Sequence, residues 1–165
     1  GNHGDDLPDH HDQRSGHIIN LSSVGGFEAS PGFSIYSASK FAVEGWSESL
    51  SKEVRHLGIR VTILEPGGFR SDFAGPSLVS SITGPADYAP ITSFIDGYVR
   101  TRHGTQANDP AKFGPALCRL VALDDPPLRL PLGPDGLQGV RRKLAEVEAE
   151  VRRNEALSLS TGIDA

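Results

Sequence analysis

Apolar and polar positions follow two different periods along this chain, and the switches between them mark its elements. His17 to Leu21 (HIINL) is a β-branched run ending in paired serines and a Gly-Gly pair, which predicts a buried strand entering a loop. From about Ser37 to His56 the period becomes helical. Phe41, Gly45 or Trp46, Leu50 and Val54 line one face, and Glu44, Glu48, Lys52 and Arg55 the other. Glu48 and Lys52 stand at a favourable i, i+4 spacing, and Gly58 ends the helix as a left-handed cap. Ile59 to Leu64 (IRVTIL) is a second strand, followed by Glu65-Pro66-Gly67-Gly68. Strand, helix and strand form a βαβ unit, which predicts parallel strands and a right-handed crossover.

Beyond this unit the pattern weakens. Residues 71–108 mix Gly, Pro and Ser, with a helix expected over Asp87 to Arg102 and Tyr88, Ile91, Phe94, Ile95 and Val99 inward. A substrate lid and a plain surface loop are equal readings of this segment. Asp109-Pro110 is a helix start, and Gly114-Pro115 predicts a kink or a late beginning. Cys118 is expected to pack in that helix as a small hydrophobe. Leu128 to Leu132 is a third strand, which Pro131 places at an edge. Asp135 is read as the cap of a last helix, where Leu137, Val140, Leu144, Val147 and Val151 form an apolar stripe beside a densely charged face. That stripe is expected to lie on the sheet or on a partner.

Composition narrows the class. The chain has 165 residues and a net charge of −5, with no basic stripe, which disfavours a general nucleic-acid binder. No apolar run approaches a membrane span, and no membrane partner is expected. Gly1 to Ser15 has no apolar period and is expected to be a disordered tail; His3, His10 and His11 lack a second cluster at metal-ligand spacing. Ser158 to Ala165 is expected to fray, leaving residues 16–157 as the folded part. Cys118 is the only cysteine, which suggests a reducing, cytoplasmic setting. The chain starts at Gly1 and contains no Met, which suggests a piece of a longer reading frame.

Candidate chemistry gathers in Ser22 to Lys40, SSVGGFEASPGFSIYSASK. Tyr36 and Lys40 share a helix face at i, i+4, and Ser23 stands thirteen residues before the tyrosine. A phenol beside a cation is an acid–base device, because the nearby positive charge favours the phenolate.

NLSS, then YSASK, then EPGGFRSDF, in this order and spacing, closely resembles the second half of the short-chain dehydrogenases/reductases, from about His17 to the C-terminus. The resemblance implies an α/β fold: part of a Rossmann-type, doubly wound parallel sheet of about three strands with flanking helices. It implies an oxidoreductase that moves a hydride between NAD or NADP and a small carbonyl or alcohol substrate. Tyr36 would be the general acid/base, Lys40 would assist it and bond the nicotinamide ribose, and Ser23 would hold the substrate oxygen. Ser22 is the weaker candidate. Pro66, Gly67 and Phe69 match the stretch beside the nicotinamide. Ser71 stands where the family commonly has threonine. Pro31, Gly32, Phe33 and the segment after Phe69 would border the substrate.

The resemblance also exposes a gap. No glycine-rich strand–turn–helix fingerprint for the cofactor pyrophosphate is present, since Gly25-Gly26 and Gly67-Gly68 have the wrong spacing. The strand at His17–Leu21 is therefore expected to have an open edge, and the Phe41/Trp46 helix face to be partly exposed. That helix, residues 37–56, is the expected homo-oligomer contact. Two readings follow: the catalytic half of a nicotinamide-dependent oxidoreductase, or an inactive truncated relative acting as a dimerisation or binding module. A sugar epimerase relative, which also uses YxxxK, is disfavoured by the PG-Ser motif and the short C-terminal part.

Overall fold

The computed structural model describes residues 14–74 and 85–163. The histidine-bearing tail up to Gln13 lies outside that range, as does part of the segment after Phe73. Among the described residues, the chain runs as strand β1 (Gly16–Leu21), helix α1 (Ser34–Val54) and strand β2 (Ile59–Pro66). Helices α2 (Ala89–Arg102) and α3 (Phe113–Val121), strand β3 (Arg129–Leu132) and helix α4 (Pro134–Leu159) follow. The strands form one open parallel sheet in the order β1-β2-β3, with Ile18 opposite Val61 and Ile63 opposite Arg129. This is the parallel α/β arrangement that the βαβ pattern predicts and the partial Rossmann-type sheet that the resemblance implies. Pro131 sits on an edge strand, where its missing N–H costs no ladder bond.

β2 is the centre. Ile59, Val61, Ile63 and Leu64 are all buried, as a strand between two others and covered on both faces must be. Thr62 stitches the sheet together: its hydroxyl donates to Pro127 O at 2.6 Å and accepts from His17 Nε2 at 2.9 Å. Gly58 turns the chain between α1 and β2 at φ +73°, and a Cβ there would lie 2.2 Å from Arg14 O.

Several expectations on boundaries and sidedness change. α1 begins at Ser34, so Tyr36 lies within its first turn, and β2 runs on through Glu65 and Pro66. The larger correction concerns which side of α1 meets the sheet. Its buried residues are Ser37, Glu44 and Ser47, with Glu44 taken from the charged face, whereas Phe41 and Trp46 are exposed, as expected of an uncovered helix face. The amphipathic pattern alone would favour the reverse. Small serines let the helix backbone approach the sheet, and Asn20 Nδ2 donates to Ser47 Oγ at 2.9 Å across the contact.

In α2 only Ile95 is buried; Phe94, and Tyr88 just before the helix, are exposed, contrary to the inward face expected. Asp109 caps a single 3-10 turn at Pro110–Lys112, so α3 proper begins late, at Phe113. Cys118 is exposed, because Leu120 is the residue that this short helix buries. α4 packs through Gly136, Gly139 and Val140, and most of its expected apolar stripe (Leu144, Val147, Val151) faces outward. Gly133, not Asp135, holds the N-cap position of α4.

Candidate active site

A cleft of about 420 Å³ opens at the carboxyl ends of β1 and β2. This is where open parallel sheets ordinarily bind ligands. Ser23, Tyr36, Lys40, Pro66, Gly67, Phe69 and Ser71 all line it, whereas Pro31 and Gly32 of the expected substrate border do not. Phe33 of the expected substrate border lines it as well, with Phe73, Phe94 and Tyr98. Ser22 also reaches the lining but is 2% exposed, with its hydroxyl turned towards Lys40 O.

Each polar group is held in a defined way. Ser23 precedes the turn Val24–Gly26, and its Oγ accepts from Gly25 N at 3.0 Å. That leaves the hydroxyl hydrogen free to donate into the cleft. Gly25 fits between the serine and the tyrosine: a Cβ there would stand 3.4 Å from Ser23 Oγ and 3.0 Å from Tyr36 Cε1. Serine hydroxyl and phenol ring therefore border the same glycine. Lys40 Nζ donates to Leu21 O at 3.1 Å and lies 5.9 Å from the Tyr36 ring centroid. An ammonium has three donors, so two remain for a ligand.

Aromatic rings wall the tyrosine. Its ring centroid is 6.5 Å from that of Phe33 and 5.3 Å from that of Phe73. Tyr98 of α2 stacks edge-on against Phe33 at 5.2 Å, and burial pushes its phenol above the ordinary value. Gly32, at φ +79°, lets Ile95 sit against the loop: a Cβ would fall 2.3 Å from Ile95 Cδ1. α2 is thereby pinned to the mouth of the cleft.

Two supports were not legible in the motif. Asp135, in the first turn of α4, accepts from Gly68 N at 2.7 Å through Oδ2, and Asn108 Nδ2 donates to its Oδ1 at 2.6 Å and to Gly68 O at 3.0 Å. Burial acts to raise the Asp135 carboxyl, but these hydrogen bonds outweigh it and hold the group below the usual carboxylate range. On the opposite rim, Arg142 of α4 grips Glu28 with two hydrogen bonds, the Nε one at 2.6 Å. α4 thus clamps both loops of the cleft. The sequence sign was an aspartate one residue after the helix-starting Pro134, which reads equally well as an ordinary cap.

Comparison with known proteins agrees with this geometry. A family model for short chain dehydrogenase matches residues 6–78. Oxidoreductase BOA17 of Botryotinia fuckeliana is 35% identical over 155 residues, covering 94% of this chain and 56% of that protein. The 3-ketodihydrosphingosine reductase of Bacteroides thetaiotaomicron is 40% identical over 134 residues, covering 78% and 48%. A short-chain dehydrogenase from Streptomyces avermitilis superimposes with a TM-score of 0.81 at 36% identity, over 94% of this chain and 56% of that one. Two structures that share the fold alone, at 22% and 19% identity and TM-score 0.53, were solved with NADP+ and with NAD. The chain belongs to the short-chain dehydrogenase family of oxidoreductases. It spans about half the length of the curated relatives it matches.

Proposed function

We propose that this chain carries the catalytic centre of a nicotinamide-dependent oxidoreductase acting on a carbonyl or alcohol. The observation that carries the reading is the convergence of Ser23 Oγ and the Tyr36 ring beside Gly25, with the Lys40 ammonium tethered behind them. In the direction of reduction, Ser23 donates a hydrogen bond to the substrate oxygen and Tyr36 gives that oxygen its proton as charge develops there. Lys40 stabilises the negative charge left on the phenol oxygen, which then regains a proton from solvent. Phe33, Phe73 and Tyr98 keep bulk water from the reacting oxygen.

The residues fit the nicotinamide end of NAD or NADP. Pro66 to Phe69 line the cleft and contain paired glycines, so backbone is open to a flat ring. Lys40 has spare donors for ribose hydroxyls, and Ser71 adds a hydroxyl on the same wall. A bound nicotinamide supplies or accepts the hydride at the substrate carbon. No glycine-rich cradle for the pyrophosphate stands among the described residues.

The test is a spectrophotometric assay of the full-length protein with NADH and with NADPH against a panel of small and medium ketones and aldehydes. Carbonyl-dependent oxidation of one nucleotide is expected; none with either nucleotide would contradict the reading and favour a binding module. The outward face of α1 bears on the partner. Ile35, Phe41 and Trp46 are 84%, 45% and 59% exposed. A second copy covering this face is the proposed arrangement, so Trp46→Glu should lower the mass seen by light scattering; an unchanged mass would remove α1 as the contact.

A further inference from the structure

Tyr36, Lys40, Glu44 and Glu48 succeed one another every four residues, so they share one face of α1. The first pair faces the cleft. Of the second pair, Glu48 is part-exposed at the rim and Glu44 runs into protein, where it is 6% exposed and Glu65, next to Pro66 on β2, is 0% exposed. Arg129 of β3 reaches this group: its Nη2 is 2.7 Å from Glu48 Oε2, and its Nε is 3.3 Å from Glu44 Oε2 and 3.6 Å from Glu65 Oε1. One guanidinium thus faces three carboxyl groups.

The oxygens left over decide the chemistry. Glu44 Oε1 and both Glu65 oxygens are buried with no hydrogen-bond donor among the described residues. Carboxylates only accept, so two ionised groups side by side would leave these oxygens unpaired and mutually repelled. A single proton between them turns one group into a donor and removes one charge, as in other adjoining carboxyl pairs.

We propose that Glu44 and Glu65 share one proton and, with Arg129, fix the height of α1 on the sheet, making them positioning residues for Tyr36 and Lys40. This rests on the reading of Tyr36 and Lys40 as the acid–base pair. Burial pushes the Glu65 carboxyl up to about 7; the Glu44 charge adds to the rise and the Arg129 cation opposes it. The groups facing Glu65 are Glu44 and Glu48 of α1, the latter paired with Lys52, and Arg129 of β3. β1 offers this side the neutral Asn20, and α4 approaches the Glu65 backbone through Gly136, which has no side chain.

The sign follows from the raised value. The folded protein holds the Glu65 proton more tightly than the unfolded chain does. The stability this confers is full below the ordinary carboxylate range and is lost as pH rises towards about 7. The test compares melting temperature from pH 4.5 to 8 for the wild type, Glu65→Gln and Glu44→Gln. Glutamine at 65 keeps a donor for Glu44 and cannot ionise. Wild type should therefore fall relative to Glu65→Gln by about 5 °C across this window. Glu44→Gln should move the wild-type inflection to lower pH, because the repelling charge is gone; it carries the test alone if Glu65→Gln does not fold. Parallel curves for wild type and Glu65→Gln, or an unmoved inflection in Glu44→Gln, would overturn the shared proton.

Turnover then tests positioning. The wild-type rate profile should contain a step near pH 7 that Glu65→Gln lacks, and identical profiles would refute the link to Tyr36 and Lys40. Melting curves need no substrate. If Tyr36 proved not to be the proton donor, they would still judge the proton between Glu44 and Glu65 on its own.

Discussion

The two halves of α1 carry the same spacing into opposite surroundings. Tyr36 and Lys40 project into an open cleft, ringed by aromatic side chains and loop backbone. Glu44 and Glu48, further along the same face, meet Arg129, and Glu65 is sealed beside them. On the proposed reading, one helix supplies both a reactive pair and the anchor that fixes where that pair stands. The contrast explains why an ionic cluster lies beneath a site that never touches it. A hydrophobic contact would hold α1 as firmly but would set its height less specifically, since ion pairs and hydrogen bonds are directional.

Substitutions at each end should separate the two roles. Lys40→Met breaks only the upper half, and turnover should fall about 1,000-fold with the melting temperature nearly unchanged. Arg129→Met breaks the lower half, leaving buried carboxyl groups without their cation. Stability should fall by about 3 kcal/mol at pH 8, measured by urea unfolding, and by less at pH 5, where Glu65 keeps its proton. Equal losses at both pH values would show that the cluster does not titrate. Asp135→Asn lies outside α1 and should act least, about 1–2 kcal/mol, through the Gly68 amide alone. Its readouts are faster hydrogen exchange at Gly68 and a higher KM for the nicotinamide, with kcat close to wild type. Because the Asp135 carboxyl is held below its usual range, this support is present at neutral pH and is lost as pH falls through that lowered value.

What the sequence made legible follows the same division. The parallel βαβ core was readable because β-branched runs, a helical period and Gly58 are local signals, and Ser23, Tyr36 and Lys40 were readable through spacing. The exposure of Phe41 and Trp46 was expected from an uncovered helix face, but the residues that pack on the sheet instead were not. Amphipathic reasoning assigns apolar residues to the core, yet Phe41 and Trp46 face outward while Ser37, Glu44 and Ser47 pack on the sheet. Long-range partners decide this: Asn20 for Ser47, and Arg129 and Glu65 for Glu44. None of them is near in sequence. Asp135 hid in the same way, since its partners Gly68 and Asn108 are supplied by distant loops. The i, i+4 run from Tyr36 to Glu48 is the local sign of a polar inner face.

The proposed chemistry depends on the phenol of Tyr36 as the proton donor beside Ser23. Its most direct measurement is turnover of the Tyr36→Phe variant in the full-length protein, with nicotinamide affinity measured on the same preparation by fluorescence titration. Turnover should be lost by about 1,000-fold or more while affinity stays within about twofold of wild type. Turnover that survives at the wild-type level would contradict the assignment.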